Sequence, residues 1–343
     1  MGRSKRTPWH HLSDEGLLKV RICDLDVKIQ GSEIEPRIKQ LYQELDDQNI
    51  LLRPRCYLSE EWLSPNEQVA FGIPFFLAHP RLRALEFRMM FEVEGGTRSW
   101  CMKLMRHEAG HALDHAYGLH RREEWKRVFG SPRQRYDPYF YVADPQSKKH
   151  VRNLPDHYAQ CHPDEDFAET FAVWLNPNSQ WRTRYLGWPA MRKLRYVDRL
   201  MRELDGRAAP RRRPVLQAEA RTLRATLRTY YLRKFRLYQL SDLSFTVRDM
   251  KNIFRSSRAA KPKQLASAFI RQHKRQLVES IASWSGERTT KISRVVANLA
   301  KLCEEHRLVL RDDSDVSLVR VSTYVATLIV TRLHTYKYRL KKK

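Results

Sequence analysis

The chain has 343 residues, 42% hydrophobic and 30% charged, with only twelve glycines; a disordered or fibrous polymer is excluded, and two domains are the expectation at this length. Its 64 Lys and Arg exceed 39 Asp and Glu, for a net charge of +25, and the excess is uneven: residues 1–205 hold 32 basic and 29 acidic side chains, residues 206–343 hold 32 and 10. A near-neutral body with a strongly basic appendage assigns chemistry to the first part and attachment to something anionic to the second.

Apolar Ile34, Ile38, Leu41, Tyr42 and Leu45 recur at helical spacing and stop near Asn49. Ile50–Tyr57 suits a strand, and Gln68–Ala78 a second one that Pro74 confines to an edge or a bulge. That second strand suits either a core position or an edge to which an extended substrate adds. A helix is predicted through Met102–Tyr117, ending near Gly118, and another over Pro163–Leu175, opened by its proline and closed by Asn176-Pro177. A further helix covers Pro189–Leu204. Residues 1–205 are therefore expected to form one α+β domain, strands before helices. Gly206–Pro214, with charge, glycine and two prolines, is the expected linker. Residues 215–343 are expected to form a basic, mostly helical domain, with stripes at Leu216–Tyr230, Leu265–Trp284 and Ile292–Leu302. The last segment, around Leu318–Leu328, fits both periods and is read as helix.

Five cysteines, Cys23, Cys56, Cys101, Cys161 and Cys303, are odd in number and lack metal-ligand spacing, which argues for reduced thiols over a disulfide scaffold. No apolar stretch follows the basic start, Arg6 stands where a myristoylation signal needs Ser or Thr, and Val325–Val330 is far shorter than the ~20 residues of a bilayer span. The expected location is the cytoplasm, with no membrane attachment.

The chemistry concentrates in His107-Glu108-Ala-Gly-His111. Two histidines four apart on a helix project from one face, so both imidazoles reach one cation, and Glu108 between them is placed to take a proton from a metal-bound water. A catalytic zinc needs three protein ligands, so the third must come from another segment. Downstream, His162-Pro-Asp-Glu-Asp-Phe-Ala-Glu169 sets Glu165 and Glu169 four apart on a helix whose other face is apolar. Carboxylates there are costly unless something positive faces them. One on the metal and one bonded to a ligand imidazole meets that cost. Acids opposing the helix dipole explain Asp164–Asp166 well and Glu169 poorly. Asp114, one turn beyond His111, is a further candidate for supporting a ligand, and Asp166 rivals Glu165. A Cys161/His162 nucleophile pair is disfavoured, because zinc already accounts for the neighbouring acids.

His-Glu-x-x-His-x-x-Asp followed by Glu-Asp-Phe-Ala-Glu-Thr-Phe-Ala resembles the gluzincin site of the anthrax lethal-factor type, and more closely a bacterial family of zinc-binding metallopeptidases. The resemblance covers roughly Ile50–Leu204 and stops short of the basic tail. It implies a zincin-like fold, with His107, His111 and Glu165 as ligands of one catalytic Zn2+ and Glu169 behind an imidazole. Tyr158, seven residues before Glu165, matches the tyrosine that stabilises an oxyanion in such sites. Glu165 is preferred to Asp166 because it shares a helix face with Glu169.

The expected activity is zinc-dependent hydrolysis of a peptide or protein substrate. The alternative is a nucleic-acid-binding protein whose zinc site is structural or degenerate, against which the intact Glu108 speaks. In the tail, Arg221, Arg224 and Arg228 are expected on one helix face, extended by Lys261, Lys263, Lys274, Arg275 and Lys341–Lys343. The partner expected there is nucleic acid or an acidic protein.

Overall fold

Ser13 opens the first helix, α1 (Asp14–Leu18), by accepting from the Gly16 amide. The stripe of Ile34, Ile38, Leu41 and Leu45 forms α2 (Ile34–Asp46) with all four side chains buried, as the spacing predicts. Two short strands follow: β1 (Arg55–Ser59) and β2 (Ala70–Pro74), paired in parallel with Tyr57 opposite Gly72. β1 starts five residues later than predicted, because Ile50 N bonds back to Leu45 O and extends the end of α2. β2 ends at Pro74, and Phe75–Ala78 coils into a 3-10 turn, since proline cannot donate to a ladder. On its other flank Gly72 N donates to Leu63 O at 2.8 Å. A Cβ on Gly72 would lie 2.5 Å from that of Ser59, so only glycine fits. β2 is buried along its whole length and is thus a core strand, not an edge offered to a substrate.

The structure, a computed structural model, describes residues 8–90, 92–136, 141, 143–208, 215–237, 247–256, 264–287 and 289–340, without the side chains of 290 and 331–340. The chain divides into two compact units. The first gathers the described residues of Met1–Met89, Val93–Tyr141 and Gln146–Lys234; the second those of Met90–Glu92, Val142–Pro145 and Phe235–Lys343.

The first unit continues through all but the last residue of α3 (Pro80–Met90), then α4 (Arg98–Tyr117), α5 (Glu123–Phe129), a 3-10 turn at Pro155–Gln160, α6 (Pro163–Leu175), α7 (Trp181–Arg184), α8 (Ala190–Glu203) and the start of α9 (Leu227–Leu237). Thr97 caps α4 by accepting from Trp100 N, and Gly118, at φ +58°, closes it. α4 packs between α2 and α6, and α6 packs on α8. α6 runs from Pro163 to Leu175 as predicted, with nearly every residue buried.

The predicted helix over Leu216–Tyr230 is not formed as such. Ala220–Thr222 is a 3-10 turn, and helix begins only at Leu227. Upstream of it the chain is drawn out by bonds to other segments: Ser59 Oγ to Ala218 O, Ile22 N to Ala225 O and Leu227 N to Val20 O. Residues 209–214 of the expected linker, and Lys261, Lys263 and Lys341–Lys343, lie outside the described residues. The division falls after Lys234 and not at 206–214, because Leu227, Tyr230 and Tyr231 bury their side chains, with Tyr230 edge-on to Phe75.

The second unit contains α10 (Val247–Ile253), β3 (Phe254–Ser256), α11 (Ala266–Gln272), α12 (Lys274–Ser285), α13 (Thr289–Glu305), β4 (Leu308–Leu310) and α14 (Ser314–Leu340). The predicted stripe over 265–284 is two helices broken at His273, ended by Gly286 at φ +66°. Phe254, Phe269, Ile292, Leu299 and Val325 are buried in its core, and β3 pairs antiparallel with β4. The ambiguous last segment is helix. Helices with two small sheets make an α+β architecture. Among the described residues, no helix is long and apolar enough to cross a membrane.

Candidate metal centre

The two motif segments meet because a glycine lets two helices touch. A Cβ on Gly110 would sit 3.0 Å from Ala168 Cα and 3.2 Å from the Phe171 ring, so α4 and α6 come into backbone contact there. The turn carrying His107 and His111 thereby faces the turn carrying Glu165 and Glu169. His107 Nε2 lies 3.1 Å from His111 Nε2 and 3.0 Å from Glu165 Oε2, and His111 Nε2 lies 3.3 Å from the same oxygen.

These spacings suit a zinc ion. Ligand atoms ~2.1 Å from a tetrahedral zinc stand roughly 3.4 Å apart, close to the observed triangle. Two buried imidazole nitrogens that converge on one carboxylate oxygen also require protons or a cation between them. Three protein ligands is the number found in catalytic zinc sites, where structural sites use four.

A second layer fixes the first. Glu169 Oε1 is 2.9 Å from His107 Nδ1, and the same carboxylate accepts from Asn153 Nδ2 at 2.7 Å and Leu154 N at 2.8 Å. The contact at Nδ1 orients the ring so that Nε2 faces Glu165. Glu108 is buried, and its Oε2 accepts from the Ser64 hydroxyl at 2.9 Å. Tyr158 lies beside His107, ring centroids 5.7 Å apart. Just before it, Asp156 and His157 both adopt left-handed backbone (φ +64° and +54°), a conformation that costs non-glycine residues about 1 kcal/mol each. Tyr136, not anticipated, donates to Glu165 Oε1 at 2.9 Å and meets the Tyr158 hydroxyl at 3.2 Å.

Charge follows the geometry. Burial pushes the Glu108 carboxyl up from its usual value, while His107, His111 and the Ser64 hydroxyl pull it back. Burial acts the same way on Glu165, but His111 and His107 hold it well below the usual carboxylate range. The Tyr158 phenol is raised, chiefly by burial.

Three expectations are corrected. Asp114 supports no ligand imidazole among the described residues; its oxygens are 2.7 Å from His120 N and His120 Nδ1. The left-handed turn at Gly118 folds His120 back onto it, and the short Asp side chain is taken up there. Asp166, the rival ligand, instead pairs with Lys193 Nζ at 2.5 Å. Arg221 and Arg224 precede α9 and do not share a helix face with Arg228. Those three arginines belong to the first unit, Lys274 and Arg275 to the second. Arg221 pairs with Glu219 and Arg275 with Glu279.

Ser64, Asn153, Gly110 and Tyr136 carry no motif signal. Only Gly110 sits within the recognisable pentad, between the two histidines, where a helix former would otherwise be expected.

Residues 99–198 match the sequence model of a family described as "Putative zinc-binding metallo-peptidase". That stretch is less than a third of the chain, yet it runs from α4 into α8 and contains the three donors, Glu108, Tyr158 and Glu169. No curated protein and no solved structure matches the chain. The site thus has the donor set of a zinc-binding centre, in a segment similar to a metallopeptidase family.

Proposed function

We propose that this protein is a zinc-dependent peptidase, with one Zn2+ held by His107 Nε2, His111 Nε2 and Glu165 Oε2. The observation that carries the reading is the convergence of those three atoms, from two helices on which His111 and Glu165 are 54 residues apart in sequence, to within 3.3 Å of one another. Zinc in such a site acidifies a water and polarises the scissile carbonyl. Glu108 accepts the proton of the attacking water and returns it to the leaving amine nitrogen, so the carboxylate ends each cycle unprotonated. Ser64 engages Oε2 of Glu108 and leaves Oε1 for that proton. The Tyr158 phenol donates to the oxygen that gains charge as the carbonyl becomes tetrahedral. Glu169 keeps His107 in the tautomer that presents Nε2. A base beside three donors favours this reading over a nucleic-acid-binding protein with a structural zinc, which has no use for Glu108.

We propose further that the basic C-terminal region, with 32 cations against 10 acids over residues 206–343, recruits an anionic partner, nucleic acid or an acidic protein.

Metal analysis with a peptide-cleavage assay tests the catalytic part. Wild-type protein is expected to carry about one zinc per chain and to lose cleavage on chelation. His111→Ala and Glu165→Ala lose the metal, whereas Glu108→Gln keeps zinc and loses at least about a hundredfold in turnover. Normal cleavage by Glu108→Gln excludes the assigned base.

A further inference from the structure

Tyr136 is absent from every motif above, yet its hydroxyl touches two of the groups on which the proposed chemistry depends. It follows α5, is half exposed, and lies edge-on to the His162 ring that caps α6. Its oxygen is 2.9 Å from Glu165 Oε1 and 3.2 Å from the Tyr158 hydroxyl.

A phenol has one proton to give, and a carboxylate bound to a cation only accepts. The proton of Tyr136 is therefore committed to Glu165 Oε1, and the contact between the phenols is donated by Tyr158 to the Tyr136 oxygen. The direction of the chain is fixed: Tyr158 to Tyr136 to Glu165. With Oε1 engaged, Oε2 is the oxygen turned to the two imidazoles, 3.0 and 3.3 Å away. The proton of Tyr158 is held on a neutral acceptor, which an oxygen gaining negative charge outcompetes.

We propose that Tyr136 is a positioning residue with two tasks: it sets Glu165 to bind zinc through Oε2, and it holds the Tyr158 proton ready for the oxyanion. The inference rests on the peptidase reading above, with Glu165 as a ligand, and extends it to a residue that touches neither metal nor substrate.

The test is zinc affinity, measured on the full chain by competition with a fluorescent chelator for wild type, Tyr136→Phe and Glu165→Ala. The thermal midpoint of each metal-free protein is measured alongside. Tyr136→Phe keeps the ring against His162 and removes only the hydroxyl. Its zinc affinity is expected to fall roughly tenfold to a hundredfold, the usual effect of losing a ligand's hydrogen-bond partner, while the metal-free midpoint stays at the wild-type value. At saturating zinc, turnover of a quenched-fluorescent peptide falls in Tyr136→Phe. The Tyr136→Phe/Tyr158→Phe double variant is then no slower than Tyr158→Phe alone, since one phenol acts through the other. Wild-type zinc affinity in Tyr136→Phe, with zinc lost in Glu165→Ala, overturns this inference and spares the peptidase reading. Wild-type affinity in Glu165→Ala overturns both.

Discussion

Asp114 and His120 form a pair whose charge state bears on the end of α4. The bond from Asp114 is the largest influence on the His120 ring and raises its pKa, against the opposing pull of burial. The folded value thus lies above the ordinary 6.5. Stabilisation from the pair is fully present below the unfolded value and fades as pH rises through the folded one. In metal-free protein, Asp114→Asn is expected to cost about 1 kcal/mol near pH 6 and less near pH 8.5. Urea denaturation at both pH values checks this, and a cost that grows with pH contradicts it. The role of Asp114 was not legible beforehand, since helical spacing gives its face but not the loop that folds back onto it. His107, Glu108 and His111 were legible because their geometry is internal to one helix. Ser64 and Asn153 were not, because a single hydroxyl or amide acquires its role only through what it faces.

At the scale of helices, the contact of α4 with α6 decides whether a site exists. Alanine is preferred to glycine inside a helix by up to ~1 kcal/mol, so Gly110→Ala should stabilise α4 in isolation. In the protein the new methyl meets the backbone of Ala168 at 3.0 Å, which cannot rotate away as a side chain can. The expected net effect is a loss of ~1–3 kcal/mol, typical of overpacking, with weaker zinc binding because Glu165 and Glu169 move with α6. Urea unfolding and zinc titration of the variant measure both. A more stable Gly110→Ala with unchanged zinc affinity would show that α6 yields freely. The bounds of α6 could be read directly, since Pro163 and Asn176-Pro177 act locally. The stripe at Leu216–Tyr230 had helical spacing too, yet hydrogen bonds to Ser59, Ile22 and Val20 outweighed it.

Over the whole molecule, charge is the feature composition reveals first, and its consequence is electrostatic. If the basic region binds nucleic acid, retention of a DNA oligonucleotide should weaken steeply with salt, and Arg224→Glu/Arg228→Glu should lower the log-log slope by about 0.9 for each phosphate the protein no longer neutralises. Salt-insensitive retention, or binding of an acidic protein alone, excludes nucleic acid. Composition also points to the residues before 206 for chemistry, and the three candidate metal donors lie there. It misplaced the boundary, because proline and charge at 206–214 mark where helix stops but not which core the next twenty residues join. Burial of Leu227, Tyr230 and Tyr231 settled that for the first unit. By itself the sequence determined what is local: the helix periods, the turn-forming residues, the two histidines on one face and the glutamate between them. Only the tertiary structure decided which carboxylate meets them, that Asp114 and Asp166 are spent elsewhere, and that Ser64, Asn153 and Tyr136 stand at their shoulders. Such meetings depend on long-range packing, and a residue's neighbours along the chain carry no record of its neighbours in space.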